Sequence, residues 1–464
     1  MPDKSIKLTE AGICVFFMTL LVFLDMEPFF VWGTVSRFGY RVYTSVILLA
    51  TLLMAHSVFL KKRVVGERLV DLRDCRRLPR ALFFSSFLIV ALFFYEVFFS
   101  GVATRTQQPF NMAMLCIHLG LMLFVLQDNL SLQKVYKVSK KIFAVSLVPS
   151  VLVFLLMSMG LDLPAFSLTA DAGKDMVGQG YDLYLGVATM IHYKGEVLNR
   201  LCGIYREPGF VGTIGALFLL SDRMSLRKWE NAVILVACIF TFSLAFIVML
   251  MLGLLLRAIG KFKRRGSMAV GAILIVSLVV GYFVFMELPF DPDSSMGILQ
   301  ERLVITEDGL VGDNRFGSSL WAEEAYAEFM ESPLAVRLLG FGQDPRTVPG
   351  TNVSIWQSVC SYKEFVFGFG FVGLALLALG VVLCTYFKFR GAPEGARWKI
   401  FVLLTVFVAS IYQRYDISTF YYYCVLFGGA ANLALSELAD REKEEAVGVP
   451  LPRDKQGFDK KEVI

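Results

Sequence analysis

The feature that most constrains this chain is an apolar run of about 20 residues that recurs along it, the length a helix needs to cross the hydrocarbon core of a bilayer. Early runs cover 11–24, 40–60, 81–100, 110–127 and 142–161, and later ones 358–387, 398–413 and 417–438. Backbone inside lipid has no water to bond to, so spanning pieces of this kind are helices. The expected class is therefore an all-α polytopic membrane protein. Of the 464 residues, 56% are hydrophobic and the mean hydropathy is +0.62, which excludes an ordinary soluble globular domain.

Charge supplies the topology. The net charge is only +5, and the basic residues stand in short clusters between apolar runs, a pattern of orientation signals and not of a nucleic-acid surface. Residues 61–80 hold eight Lys/Arg against three acids, and Lys134, Lys137, Lys140 and Lys141 precede the fifth run. The positive-inside rule makes both segments cytoplasmic, together with the N-terminus, and sends the polar stretch 162–205 to the opposite side. That stretch reads as a long connector. It ends in Arg200-Leu-Cys-Gly-Ile-Tyr-Arg-Glu-Pro-Gly209, where Pro208, lacking an N–H and preset in φ, suits the first position of a helix. Arg206 and Glu207 then flank a helix mouth whose unpaired N–H groups favour an anion. Gly209, Gly212, Gly215 and Ala216 give that helix a small-residue face for close helix approach.

Residues 231–256 have basic residues on both flanks, so both ends read as cytoplasmic. Two short helices broken near Thr241-Phe-Ser243 would resolve the conflict; a single crossing with one misleading flank is the alternative. The run 267–286 leads into the largest polar region. Between 287 and 355 it carries twelve acidic residues and four basic ones, all arginine: Arg302, Arg315, Arg337 and Arg346. Ser319 is a candidate cap for a surface helix over 320–331, with Trp321, Ala325 and Phe329 as its apolar stripe and Glu324, Glu328 and Glu331 facing away. Pro333 ends it, and Gly340 and Gly342 form a glycine turn. About twelve helices follow from this count. They form one integral-membrane domain over 1–435, with large loops near 162–206 and 287–356 and a charged cytoplasmic tail, expected to be disordered, over 436–464.

The chemistry this arrangement offers is anion binding. Arg200, Arg206, Arg302, Arg315, Arg337, Arg346 and Arg414 fall on one side of the membrane, and arginine binds phosphate oxygens in a bidentate fork. A diphosphate is the guest these residues suit, although each arginine taken singly also fits an interfacial ion pair. The eight cysteines show no CxxC and no Cys/His metal spacing, and His56, His118 and His192 are scattered, so no metal site is expected.

Ile204-Tyr-Arg-Glu-Pro-Gly-Phe-Val-Gly212 entering a helix, Thr241-Phe-Ser-Leu244 in a broken helix, and Asp313-Asn-Arg315 with Trp321, Pro333 and Gly340-Phe-Gly342 in a large loop resemble the O-antigen polymerase family. Tyr362 ahead of Gly368-Phe-Gly-Phe-Val-Gly373, and Gln413-Arg414, are similar to the same pattern, which spans roughly 201–414. The resemblance implies a glycosyltransferase of the all-helical GT-C-like architecture in the bacterial inner membrane, working at the periplasmic face without cofactor, nucleotide sugar or metal. Its substrates would be glycans on undecaprenyl diphosphate, with membrane lipids around it, a flippase and a chain-length regulator as partners, and no nucleic acid. By match to the motif, Arg206 and Arg315 would hold the donor diphosphate and Glu207 would take the acceptor proton, with Asp313 as a rival base. Arg200, Tyr205, Ser243, Arg302, Gly340, Gly342, Tyr362 and Arg414 would line the substrate. An O-antigen ligase, which transfers the finished glycan to lipid A core, is the near alternative, but the His-Asn pair expected before the helix after the large loop is replaced here by Asn352-Val-Ser-Ile-Trp-Gln357. A transporter or flippase is the alternative of another class; the chain has no convincing internal repeat to support it.

Overall fold

The structure is a computed structural model. It describes residues 10–32, 129–168, 179–193, 200–260, 284–289, 304–306, 309–310, 319–342, 346–347, 362–412 and 420–446, with single positions 91, 297, 300 and 355. The expected runs 40–60 and 110–127, all of 81–100 but position 91, and 267–283 of the run 267–286 lie outside the described residues, as do Arg302, Asp313, Arg315 and Arg414.

Helices dominate. In chain order they are α1 (Glu10–Asp25), the short α2 (Phe29–Trp32), α3 (Asn129–Ser158), α4 (Pro208–Ser221), α5 (Trp229–Phe240), α6 (Leu244–Gly260), α7 (Ser319–Glu331), α8 (Leu334–Leu339), α9 (Tyr362–Phe389), α10 (Glu394–Ser410) and α11 (Phe420–Ala446). Among the described residues two segments, Leu132–Ser158 within α3 and Tyr362–Phe389 of α9, are long and apolar enough to cross a membrane, and less than half of each apolar window is buried inside the protein. The exposed remainder includes Val145, Leu152 and Leu379, side chains that lipid would cover.

The all-α expectation needs correcting. The stretch read as a connector folds into an antiparallel meander of β1 (Ala165–Leu168), β2 (Gln179–Tyr184), β3 (Ala188–Tyr193) and β4 (Arg200–Gly203), in that order across the sheet. Alternation explains it: Tyr181 and Leu183 point inward while Asp182 between them is only half-buried. Leu185 and Gly186, both at positive φ, close β2 onto β3 through a type I′ turn with Val187 N–H donating to the Tyr184 carbonyl at 3.0 Å. A two-stranded hairpin, β5 (Ile305–Thr306) with β6 (Gly309–Leu310), is also present. The four lysines at 134–141, read as a loop before the fifth run, instead occupy the N-terminal half of α3, because the helical period carries on through them. The charged tail starts as helix too, since α11 continues to Ala446; 447–464 lie outside the described residues.

The helix α4 is the centre of the bundle. All its residues but Gly209 are buried, and it touches α5, α6, α10, α11 and β4. Its glycines permit that crowding. A Cβ on Gly212 would stand 2.7 Å from Ser243 Cβ, and one on Gly215 would stand 2.2 Å from Cys238 Sγ. The helices α5 and α6 form the broken pair anticipated for 231–256, with Phe242 at φ +46 between them. At 1.5 Å per residue the 12 residues of α5 rise about 18 Å before the chain turns back.

Polar contacts sort the bundle into two ends. At one end Lys140 and Lys228 meet Asp222, Arg223 meets Glu437 and Asp440, Lys399 meets Glu437, and Trp398 Nε1 donates to the Leu256 carbonyl. At the other, Tyr421 N–H donates to Asp25, Phe29 N–H donates to Ile204, and the sheet abuts the start of α4. The second end carries the candidate site.

Candidate functional site

The site is built where β4 becomes α4. Gly203 leaves the strand at φ +70, and Tyr205 forms an isolated antiparallel bridge with Pro28, the residue after the α1 turn. Thr189 of β3 donates its hydroxyl to Gly203 and to Tyr205 carbonyls at 2.6 and 3.2 Å, tying the sheet to the same point. Glu207 is extended, Pro208 is the first helical residue, and the Glu207 carboxylate does not cap the helix. The first-turn N–H groups of α4 therefore keep the anion preference of a helix start without a side-chain carboxylate capping them.

Arg206 stands at this mouth with its side chain 34% exposed, and its guanidinium lies 3.7 Å from Glu27, whose side chain is 55% exposed. A long ion pair that open to solvent holds the arginine in place for well under about 1 kcal/mol, so an anion of higher charge can compete for it. Glu27 lies three residues past the apolar run 11–24 in the sequence. Its partnership with Arg206 depends on the Pro28–Tyr205 bridge, which no local pattern announces.

The break between α5 and α6 comes to the same mouth. Arg200 of β4 is buried, and it donates from Nε to the Thr241 carbonyl at 3.0 Å and from an Nη to the Phe242 carbonyl at 3.2 Å. These carbonyls lose their helical N–H donors at the break, and the guanidinium fork satisfies both. Arg200 thus positions the break. Ser243 is buried beside it, and its Oγ accepts from the Phe246 N–H at 3.4 Å as the N-cap of α6. Tyr205 is fully buried and shares a 2.9 Å hydroxyl bond with Ser146. Burial pushes its phenol well above the ordinary range, with the Ser146 bond only partly offsetting this.

The glycine turn has a structural task as well. Gly340 (φ +84) and Gly342 (φ +81) bring the end of α8 against a kink in α9 at Gly370, which has φ 66 and ψ −178. Phe341 and Gly342 N–H groups donate to the Phe367 and Gly368 carbonyls at 2.8 and 3.0 Å. A Cβ on Gly340 would lie 2.3 Å from the Gly368 oxygen. Backbone packed on backbone this closely gives Gly340 a structural task at the α8–α9 junction. The helix α7 seats Ala322, Ala325 and Phe329 on this kinked region, matching the expected stripe at Ala325 and Phe329.

Tyr362 begins α9, stacks on Tyr412 at 5.3 Å and meets Tyr326 of α7 edge-on at 6.3 Å. Lys363 lies over the Tyr326 ring at 5.5 Å and pairs with Glu323. Burial, followed by the neighbouring Tyr362, pushes the Tyr326 phenol up to about 12. This half-buried aromatic group suits a sugar face. Arg346 is engaged by Glu328 at 2.7 Å and by the Phe367 ring at 5.6 Å, and Arg337 is half-buried on α8. Of the expected residues, then, the structure gathers Arg200, Tyr205, Arg206, Glu207 and Ser243 at one helix mouth, and Gly340, Gly342 and Tyr362 at the α7–α9 junction.

One cluster at the opposite end escaped the sequence reading. Asp222, the C-cap of α4, accepts from Lys140 and Lys228 at 2.5 Å each and from Asn231 at 3.0 Å. Burial pushes its carboxyl up, but the two lysines outweigh this and hold it below the usual carboxylate range. Among the described residues no group of three or more His, Cys, Asp or Glu could hold a metal ion. Comparison with models of known protein families, with curated protein sequences and with solved structures gives no match.

Proposed function

We propose that the chain is a membrane glycosyltransferase that polymerises lipid-linked glycan repeat units, receiving the growing chain from a polyprenyl diphosphate at the face where α4 begins. In this reading it is a bacterial inner-membrane protein of about twelve helices, GT-C-like, with both termini cytoplasmic. The observation that carries the proposal is Arg206 half-exposed beside the uncapped start of α4, a charge and a set of N–H groups converging on one point. A diphosphate is an anion of matching size and charge, and both features grow more favourable as negative charge develops on the leaving group.

The step balances as a displacement at the anomeric carbon. The acceptor hydroxyl oxygen forms the new glycosidic bond, the bond to the diphosphate oxygen breaks, the diphosphate departs with the electron pair, and Glu207 takes the hydroxyl proton. Arg315 would join Arg206 on the diphosphate, with Asp313 as the rival base, and Arg302 and Arg414 would contact the glycan; Tyr362, with Tyr326 and Tyr412, would stack on a sugar ring.

The test is Arg206→Ala in the native bacterium, with Arg206→Lys beside it and protein levels checked. Surface glycan should collapse from a ladder to single repeat units while lipid-linked units accumulate. Long chains stranded on the lipid diphosphate would point to a ligase, and units trapped on the cytoplasmic side to a flippase. An unchanged ladder in the alanine variant would refute the assignment.

A further inference from the structure

The basic end of the bundle holds a cavity of about 360 Å³ lined by Tyr136, Lys137, Lys140, Lys141, Lys228 and Asn432, with Val138, Asp222 and Glu230 completing its wall. Its four lysines face two carboxylates, and Asp222 is already occupied by Lys140, Lys228 and Asn231. Lys137 and Lys141 are exposed, and they extend one face of α3 at helical spacing. The cavity is therefore positive at its open side, and Lys140 is held rigid at its floor.

An apolar track leads away from this cavity. On α3, Val138, Val145 and Leu152 are exposed at seven-residue intervals, on the same side of the helix as Lys137 and Lys141. The helix α5 runs alongside, from Asn231 at Lys140 to Phe240 stacked on Phe154 at 4.5 Å, and exposes Val236 and Ile239 at the matching depth. Trp229, exposed at the start of α5 next to Lys228, suits the polar–apolar boundary where aromatic side chains collect.

We infer that this cavity and track bind an anionic phospholipid, its phosphate headgroup among Lys137, Lys141 and Lys228 and its acyl chains along the exposed faces of α3 and α5. A basic pocket between helices at the end of an apolar bundle is the recognition chemistry of an acidic headgroup. A soluble phosphate would use the lysines and ignore the apolar track. The inference depends on the membrane reading of the chain and is independent of its enzymatic assignment.

Full-length protein is reconstituted in phosphatidylcholine nanodiscs, and retention of added phosphatidylglycerol is measured by native mass spectrometry and by thermal stabilisation. Wild type should retain phosphatidylglycerol over phosphatidylcholine. Each lysine near a headgroup is worth about fivefold in affinity, so Lys137→Gln/Lys141→Gln should lose about 25-fold. Lys443→Gln, a charge removed from exposed α11, should lose nothing. Equal retention in wild type and the double variant, or an equal loss in Lys443→Gln, overturns the site. Equal retention of phosphatidylcholine overturns the headgroup. The same stabilisation by glycerol 3-phosphate overturns the acyl track and leaves a site for free phosphate.

Discussion

Asp222→Ala tests how the basic end is held together. The side chains of Lys140 and Asp222 are only 6% and 5% exposed, whereas Lys228 is 50% exposed. Removing the carboxylate strands the Lys140 ammonium with Asn231 Oδ1 at 3.2 Å as its remaining acceptor in this network. Uncompensated charge in a buried site costs about 3–5 kcal/mol, and the loss at half-exposed Lys228 adds no more than about 1 kcal/mol. Asp222→Leu with Lys140→Met removes both buried charges and should recover most of the loss, because a buried pair is often no better than apolar side chains of similar volume. Unfolding of full-length protein in mild detergent, titrated with SDS, reads both values. A folded-state carboxyl held low stabilises at pH above its unfolded value of about 3.9 and stops doing so as pH falls through the lower folded value. The cost should therefore be flat between about pH 5 and 8. An Asp222→Ala protein as stable as wild type, or a double variant no better than the single, would refute the reasoning.

Two further perturbations address the glycines and the helix break. Gly370→Ala puts a Cβ 2.2 Å from the Leu338 oxygen at a φ that only glycine adopts readily, whereas Gly186→Ala, at φ +70, meets nothing within 4 Å. In the same SDS titration the first should cost about 3 kcal/mol or more and the second about 1 kcal/mol; equal costs would remove the α8–α9 backbone contact from the account. Arg200→Met leaves the Thr241 and Phe242 carbonyls without their guanidinium donors, so amide hydrogen exchange at the start of α6 should accelerate at least about tenfold while that of α9 stays unchanged.

The sequence makes some of these features legible and hides others for physical reasons. Pro208 and the break near Thr241 could be read because a missing N–H and a charge conflict are local signals that no neighbour can reverse. The meander was hidden because its strands are four to six residues long and carry polar and glycine residues, so their apolar alternation is too brief to outweigh a loop reading. Gly340 and Gly342 drew attention as a possible ligand loop, yet their reason is the approach of a second glycine pair, Gly368 and Gly370, some 30 residues on, roughly the span of a supersecondary unit. Arg200 looked the same as Arg206 from the sequence. Burial separates them, and burial at these positions is set by β4 and α5, which are 41 residues apart at the Arg200–Thr241 contact.

That separation bears on how the mouth of α4 is made. An arginine at a helix mouth can trade one anionic partner for another only if its neighbours do not follow it when it moves. Here Pro208 fixes the start of α4, the Pro28–Tyr205 bridge and the Thr189 hydroxyl fix the residues before it, and Arg200 fixes the broken helix beside it. Every one of these ties is buried or made by backbone. Arg206, a third exposed and 3.7 Å from half-exposed Glu27, is a charged side chain placed to exchange partners with an incoming anion. The rigid parts supply a fixed address, and a partly exposed guanidinium beside them is what the proposed diphosphate reaction would need to follow a charge that changes.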